Sequence, residues 1–157
     1  MSNLPFALGA VAVGLALVVG VACRSCKEAP AGPLMLRSLT SSAQSGVQEQ
    51  RVVVARDAAA WSQAWRDHGG LQLPAPEPPA VDFEREMVVA VFLGQRGSGG
   101  YGVTIEAIER TATGLLVKAR ESRPDPDTLV TMALTAPMHA VAVERVPGDE
   151  VTLALAD

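Results

Sequence analysis

A glycine-rich segment in the middle of the chain matches a nucleotide-binding motif. Residues 97–102 have the sequence Gly-Ser-Gly-Gly-Tyr-Gly, which satisfies the pattern Gly-x-Gly-x-x-Gly of dinucleotide-binding turns. Such a turn holds a pyrophosphate only where a helix begins directly after it. Residues 103–106 alternate between apolar and polar side chains, which indicates a strand. Ser98 is also excluded as a hydrolase nucleophile, because Arg96 stands where Gly-x-Ser-x-Gly requires its first glycine. The segment therefore predicts a turn between two strands.

Two histidines, His68 and His139, are the side chains best suited to proton transfer near neutral pH. His68 ends a predicted helix, where the helix dipole favours a partly protonated ring, so we expect a structural role. His139 begins a predicted strand after Pro137 and has no second ligand at a metal-binding spacing. A general base also needs a nucleophile within hydrogen-bond reach. Because no set of catalytic groups is apparent, we expect that the protein is not an enzyme.

Cys23 and Cys26 have the spacing of a redox Cys-x-x-Cys motif. That motif is reactive when a helix N-terminus lowers a thiol pKa within a βαβ fold. Here the pair directly follows a long apolar segment and precedes a proline-containing linker. Two cysteines also supply only half of a tetrahedral zinc site. We therefore predict neither redox chemistry nor a metal, and no cofactor.

An acidic cluster consists of Asp82, Glu84 and Glu86. These alternating residues share one face if the segment is extended. Calcium takes six or more oxygen ligands, and three exposed carboxylates more often form a solvated edge. We therefore expect a solvated edge and not a calcium site.

Composition indicates one small globular domain. The chain has 157 residues, of which 48% are hydrophobic and 19% charged, with a formal net charge of −4. It is too apolar to be disordered throughout. It also lacks the excess of lysine and arginine that binds phosphate backbones, so no nucleic-acid partner is expected.

An uncharged N-terminal segment, residues 1–23, precedes that domain. Residues 4–23 form an apolar run of 20 residues, long enough as a helix to match a hydrocarbon core of roughly 30 Å. Three interpretations stay open: a cleaved signal peptide, a lipoprotein signal with the lipid on Cys23, and an uncleaved single membrane helix. Arg24 and Lys27 follow the run, and the positive-inside tendency would hold them in the cytoplasm. We assign residues 24–33 to a linker and residues 34–157 to the domain.

Beyond the linker, one helix and about seven strands are predicted, which indicates an α+β domain built on a mostly antiparallel β-sheet. Asp57 is the expected N-cap of a helix over residues 58–68, whose apolar stripe includes Trp61 and Trp65. Residues 87–93 are apolar and β-branched, so they predict a central strand buried on both faces. The other predicted strands cover residues 47–55, 103–109, 115–121, 129–135, 139–145 and 151–156.

The turn over residues 94–101 contains more glycine than a hairpin needs, and Arg96 and Tyr101 flank it. Glycine lets the backbone approach another group closely, and arginine and tyrosine are enriched at interface hot spots. Two interpretations compete: a recognition surface formed with residues 124–128 and 135–139, or a tight turn whose Tyr101 packs into the core. The candidate partner-binding residues are Arg96, Ser98, Gly99, Gly100, Tyr101, Pro137 and His139.

Several ordered blocks around this turn resemble the PrcB C-terminal domain family, most strongly over about residues 81–145. The family is named after a bacterial protease-complex subunit, a membrane-bound lipoprotein that associates with a subtilisin-type protease. The blocks that carry the likeness are 45–46, 60–65, 81–84, 87–94, Arg96, 98–101, Val103, Ile105, Pro124, Pro126 and 130–139.

The resemblance implies a non-catalytic accessory protein, anchored on the exported side of the bacterial envelope by a lipid or a single N-terminal helix. Its partner would be a protein, with a subtilisin-type protease as the first candidate, and it would serve as a subunit or assembly partner. The alternative is a small-ligand or protease-inhibitor-type binding domain of the cell envelope. The resemblance supplies no catalytic residues.

Overall fold

A computed structural model describes residues 32–70 and 77–157 of the chain. The predicted membrane segment, the linker up to residue 31 and the lipidation candidate Cys23 lie outside the described residues. Within the described ranges, no helix combines the length and the apolar character needed to cross a bilayer.

The described residues form seven strands and one short helix, and the predicted α+β class is confirmed. In chain order they are β1 (Arg37–Ser42), β2 (Arg51–Ala55), α1 (Ala58–Gly69), β3 (Glu86–Phe92), β4 (Gly102–Arg110), β5 (Gly114–Ser122), β6 (Met138–Glu144) and β7 (Glu150–Ala156).

The strands are divided between two sheets, whereas the sequence predicted one mostly antiparallel sheet. One has four strands in the order β1-β6-β3-β2, all antiparallel, and the other has three strands in the order β4-β5-β7. β4 and β5 pair in antiparallel fashion, whereas β5 and β7 are parallel. After β5 the chain crosses to the four-stranded sheet and forms β6 there. It then returns to the three-stranded sheet, where β7 runs in the same direction as β5.

β3 is the centre of a three-layer structure. Its odd-numbered side chains, such as Val89 and Val91, belong to the core between the two sheets. Its even-numbered side chains, such as Val88 and Phe92, pack on the other face with helix α1. The prediction of a central strand buried on both faces is therefore confirmed, because every residue from 87 to 92 is buried.

Helix α1 begins and packs as its sequence predicts. The side chain of Asp57 accepts a hydrogen bond from the backbone N–H of Ala60 at 2.8 Å, which satisfies one of the free amides of the first turn. Trp61 and Trp65 are buried against the four-stranded sheet with ring centroids 5.3 Å apart. The indole N–H of Trp61 donates to the carbonyl of Pro79. The two tryptophans thus anchor the helix to the core.

The predicted strand over residues 129–135 is wrong. Within that segment only Thr135 forms an isolated β-bridge, to Arg96, and residues 129–134 lie in a loop. The apolar, β-branched sequence suits a strand, but both edges of β6 are already occupied by β1 and β3. The seventh strand is instead β1, in a region where the sequence indicated an apolar run and a serine- and threonine-rich segment. The strand expected over residues 47–55 begins at Arg51.

The acidic cluster is not extended, so the condition under which its three carboxylates would share one face is not met. The carbonyl of Asp82 accepts hydrogen bonds from the amides of Arg85 and Glu86, and its carboxylate accepts one from the amide of Glu84. These bonds close a turn, and the Glu86 carboxylate pairs with Arg37. Across residues 32–70 and 77–157, no cluster of three or more potential metal ligands is present.

Candidate functional site

The glycine turn, residues 94–101, carries the chain from β3 in one sheet to β4 in the other. Gly94 has φ +76°, and a Cβ there would lie 2.7 Å from the carbonyl oxygen of Gln48. Gly100 has φ +87°, and a Cβ there would lie 2.8 Å from Cβ of Pro124. Only glycine fits both the left-handed backbone and these close approaches. A strand and not a helix follows the turn, as predicted, so the nucleotide-binding pattern is coincidental.

A second segment packs against the glycine turn. It spans residues 123–135 and is called the distal loop here. The amide of Gly99 donates to the carbonyl of Thr131 at 2.9 Å, and the hydroxyl of Thr135 donates to the carbonyl of Ser98 at 2.8 Å. Arg96 and Thr135 exchange two backbone hydrogen bonds, of 2.7 and 3.1 Å. The two segments form one surface, which is the arrangement that the recognition hypothesis requires.

Arg96 fixes the glycine turn to the end of β5. Its Nε donates to Oε1 of Glu121 at 2.8 Å, and its Nη2 donates to Oε2 of the same carboxylate at 3.2 Å. Its Nη1 donates to the carbonyl of Leu93 at 2.9 Å. The Glu121 side chain is only 4% exposed and that of Arg96 is 23% exposed. The Arg96 guanidinium lowers the pKa of Glu121 through these hydrogen bonds, against the opposing effect of burial.

Glu121 was not among the residues selected from sequence, although a signal for it was present. In β5 the core-facing positions are Leu115, Val117 and Ala119, and the next position on that face is Glu121. A carboxylate at a core-facing position requires a cationic or hydrogen-bonding partner. Continuing the alternation by one step would have indicated a buried ion pair.

His139 connects the two sheets. Its Nδ1 accepts a hydrogen bond from the backbone N–H of Ile105 in β4 at 2.9 Å, and its Nε2 lies 3.0 Å from the hydroxyl of Ser38 in β1. Because Nδ1 accepts, the neutral ring carries its proton on Nε2 and donates it to Ser38. Burial lowers the pKa of His139, which keeps the ring in this neutral form. Both ring nitrogens are therefore used within the fold.

His68 lies at the end of α1, with its ring 5.0 Å from that of Trp65. Burial lowers the pKa of His68. This desolvation opposes the partial protonation that the helix dipole favours, and the structural role expected for His68 stays a prediction.

The other candidate residues lie at the same end of the structure. Tyr101 is half-buried, and the hydroxyl of Ser98 donates to the carbonyl of Gly99 at 3.2 Å. Pro137 is buried, and its carbonyl accepts from the amide of Leu93 at 2.9 Å. The structure brings all seven partner-binding candidates together where β3 ends and β6 begins, which we call the distal end. Their role in partner binding stays a prediction.

Three exposed apolar side chains of the distal loop were missed from the sequence. Leu129 is fully exposed, Met132 is 92% exposed and Leu134 is 60% exposed. The sequence placed them in a strand, where alternate residues would have been buried. Their exposure follows from the loop conformation and has no separate sequence signal.

Comparison with known proteins gives a match to one family. Neither a curated protein nor a solved structure matches the chain. The family model matches over less than half of the chain, in a segment that runs from β3 through the glycine turn and the distal loop to the end of β6. The resemblance carried by the sequence is therefore confirmed: residues 87–144 match the model of the PrcB C-terminal family.

Proposed function

We propose that this chain is a non-catalytic, membrane-anchored accessory protein, a subunit or assembly partner of a bacterial protease complex. The family match supports association with such a complex, because the family is named after a protease-complex subunit. The observation that carries the proposal is the joining of the glycine turn and the distal loop into one surface at the distal end. This surface lies within the segment that matches the family model.

The bonding of the titratable groups near this surface supports a role in contact and not in catalysis. Arg96 and Glu121 are hydrogen-bonded to each other. Both ring nitrogens of His139 are used in hydrogen bonds, one with the amide of Ile105 and one with the hydroxyl of Ser38. A general base must have a free nitrogen or oxygen directed at a substrate proton. Freeing such an atom would break the hydrogen bonds that link the glycine turn to β5 or His139 to β4 and β1.

The direction of the chain supports presentation of this surface away from a bilayer. At the opposite end, which we call the proximal end, the amide of Arg110 donates to the carbonyl of Gly32 at 3.0 Å. The apolar run at residues 4–23 therefore leads into the proximal end, while the glycine turn lies at the other end of the sheets. The seven residues of β3 separate these ends by about 23 Å. A chain anchored at residues 4–23 would enter the domain at its proximal end, opposite the glycine turn.

Affinity purification from detergent-solubilised membranes tests the proposal. The full-length chain carries a C-terminal tag. One part of the captured protein is assayed for peptide hydrolysis, and a separate part is treated with a fluorophosphonate, which labels and inactivates the reactive serine of serine proteases. We expect one labelled protease in a fixed molar ratio to the chain, with its activity intact. A labelled protease whose peptide hydrolysis is suppressed would favour the inhibitor-type alternative. Capture of no labelled protease would contradict the proposal.

Anchoring is tested separately by metabolic labelling with a palmitate analogue. The lipoprotein form of the proposal predicts label on the wild-type chain and none on Cys23→Ser. An unlabelled chain that stays in the membrane fraction would favour an uncleaved helix. A wild-type chain found wholly in the cytosolic fraction would contradict both.

A further inference from the structure

We propose that Leu129, Met132 and Leu134 of the distal loop insert into an apolar recess of the protein partner, and that basic side chains rim this recess. The inference rests on the proposed function and names the contact residues and the chemistry of the surface that they meet. Of the four large apolar side chains that are strongly exposed in the described ranges, three are these loop residues. The fourth is Met35, at the proximal end.

The loop backbone is held in place while its apolar side chains stay exposed. Thr131 and Thr135 are hydrogen-bonded to the glycine turn, and the carbonyl of Leu134 accepts from the side-chain amide of Gln44 at 3.3 Å. The amide of Thr128 also donates to the carbonyl of Asp125 and closes a turn at the start of the loop. A loop held in this way loses less conformational entropy on binding, which favours affinity.

The charges beside the apolar side chains indicate the nature of the partner. Asp125 and Asp127 are exposed, and neither takes part in an ion pair within the described ranges. Arg123, the basic residue of the loop, is already paired with Asp157. The loop therefore presents apolar side chains beside two free carboxylates, and a recess bordered by lysine or arginine is complementary to it.

The same charges disfavour two other occupants. An anionic lipid surface attracts basic segments and would repel these carboxylates. The loop also lies at the opposite end of the sheets from Gly32, which leads toward the apolar run. A second copy of the chain that docked through the same loop would place Asp125 and Asp127 against their own equivalents, which costs energy. A heterologous protein surface is the occupant that fits.

Two variants of the full-length chain test the contact. The triple variant Leu129→Ser, Met132→Ser, Leu134→Ser changes only exposed side chains, and Met35→Ser is its matched control at the proximal end. We expect the triple variant to recover about tenfold less labelled protease than the wild type, because the apolar contacts are lost. Met35→Ser should recover as much as the wild type. Equal recovery by the triple variant would overturn the inference and leave the proposed function standing.

Photocrosslinking in living cells captures whatever molecule contacts the loop. A benzophenone amino acid is placed at position 132, and at position 35 as the control. We expect an adduct with a different protein at position 132 and no such protein adduct at position 35. An adduct with lipid, an adduct of twice the chain mass, or no adduct at position 132 would each overturn the inference. A protein adduct that carries no fluorophosphonate label would support the docking surface and contradict the protease partner.

The basic rim has its own variant, Asp125→Asn with Asp127→Asn. We expect this pair to lower recovery of the partner several-fold at low salt and to reduce the salt dependence of recovery. Recovery and salt dependence equal to those of the wild type would overturn the assignment of a basic rim. In that case the proposed apolar recess would be tested only by the recovery of the partner with the triple variant.

Discussion

Substitution of Arg96 by alanine tests how the distal end is held together. The variant would leave the Glu121 carboxylate buried, with the Nη2 of Arg123 at 3.8 Å as its nearest cation. Removing one partner of a fully buried ion pair costs about 3–5 kcal/mol. Because the Arg96 side chain is 23% exposed, we expect a loss near the lower end of that range, about 3 kcal/mol in the free energy of unfolding.

Guanidinium unfolding of the full-length protein in detergent measures this loss, with tryptophan fluorescence as the signal. Trp61 and Trp65 are buried, so their emission changes when the core opens. The matched control is Arg120→Ala. Arg120 forms an ion pair of similar length with Glu106, but both side chains are largely exposed. We expect no measurable change in the unfolding midpoint of this control.

The pH dependence of the Arg96→Ala effect is the sharper test. In the wild type the folded pKa of Glu121 is lowered, so the pair contributes stability above the unfolded pKa and loses it as the pH falls through the folded pKa. In the variant, burial without Arg96 would raise the pKa of Glu121, so the carboxyl becomes neutral earlier. The stability difference should therefore shrink between pH 7 and pH 4. A difference that is below about 0.5 kcal/mol at pH 7, or equal at both pH values, would refute the reasoning.

Four further substitutions have definite expected outcomes. The pKa of His139 is lower in the folded protein than in the unfolded chain. As the pH decreases from 6.5 to that folded pKa, the free energy of unfolding should therefore decrease by up to about 1.4 kcal/mol per pH unit. In pH-dependent denaturation, His139→Gln should reduce this slope. Gly100→Ala should lower the free energy of unfolding in guanidinium by about 1–3 kcal/mol, because Gly100 has a φ of +87° and lies close to Pro124. Gly97 has open space around it, so Gly97→Ala should leave the stability unchanged or raise it slightly. Asp57→Ala should cost about 1 kcal/mol and lower the helical signal in circular dichroism; an unchanged midpoint would show that the cap is dispensable.

The parts of the fold that depend on local sequence were predictable. The cap at Asp57, the stripe that contains Trp61 and Trp65, and the continuous apolar run of β3 each determine a local element. The hairpin of β4 and β5 follows from two alternating segments separated by a short turn. In these cases the pattern of residues within one segment is sufficient. For the hairpin, the partner strand in space is also the next strand in sequence.

Pairings between distant segments were not predictable. β1 pairs with β6, and Ser38 contacts His139 about a hundred residues later in the chain. β1 and β3 occupy both edges of β6, so the apolar segment at residues 129–134 does not pair with β6 and lies in a loop. The parallel pairing of β7 with β5 also depends on which sheet β6 joins. Each outcome depends on which strands pair along a given sheet edge, and the sequence of a single segment does not specify that.

The candidate site was predictable in location and not in detail. The glycine content of residues 94–101 and the family resemblance both indicated the distal end, and the structure joins the glycine turn to the distal loop there. The intramolecular bonds of Arg96 depend on Glu121, which lies 25 residues away in the chain. Met132 is exposed because residues 129–134 form a loop and not the predicted strand, and no local sequence pattern indicates that loop.

We propose that the chain acts on a protease by contact at its distal end. The most direct test measures active, fluorophosphonate-labelled serine protease in membranes of cells that lack the chain and are complemented with different variants. We predict that the labelled band weakens without the chain and returns with the wild type and with Met35→Ser, but not with Leu129→Ser, Met132→Ser, Leu134→Ser. Equal labelling with and without the chain, or full restoration by the triple variant, would contradict the claim.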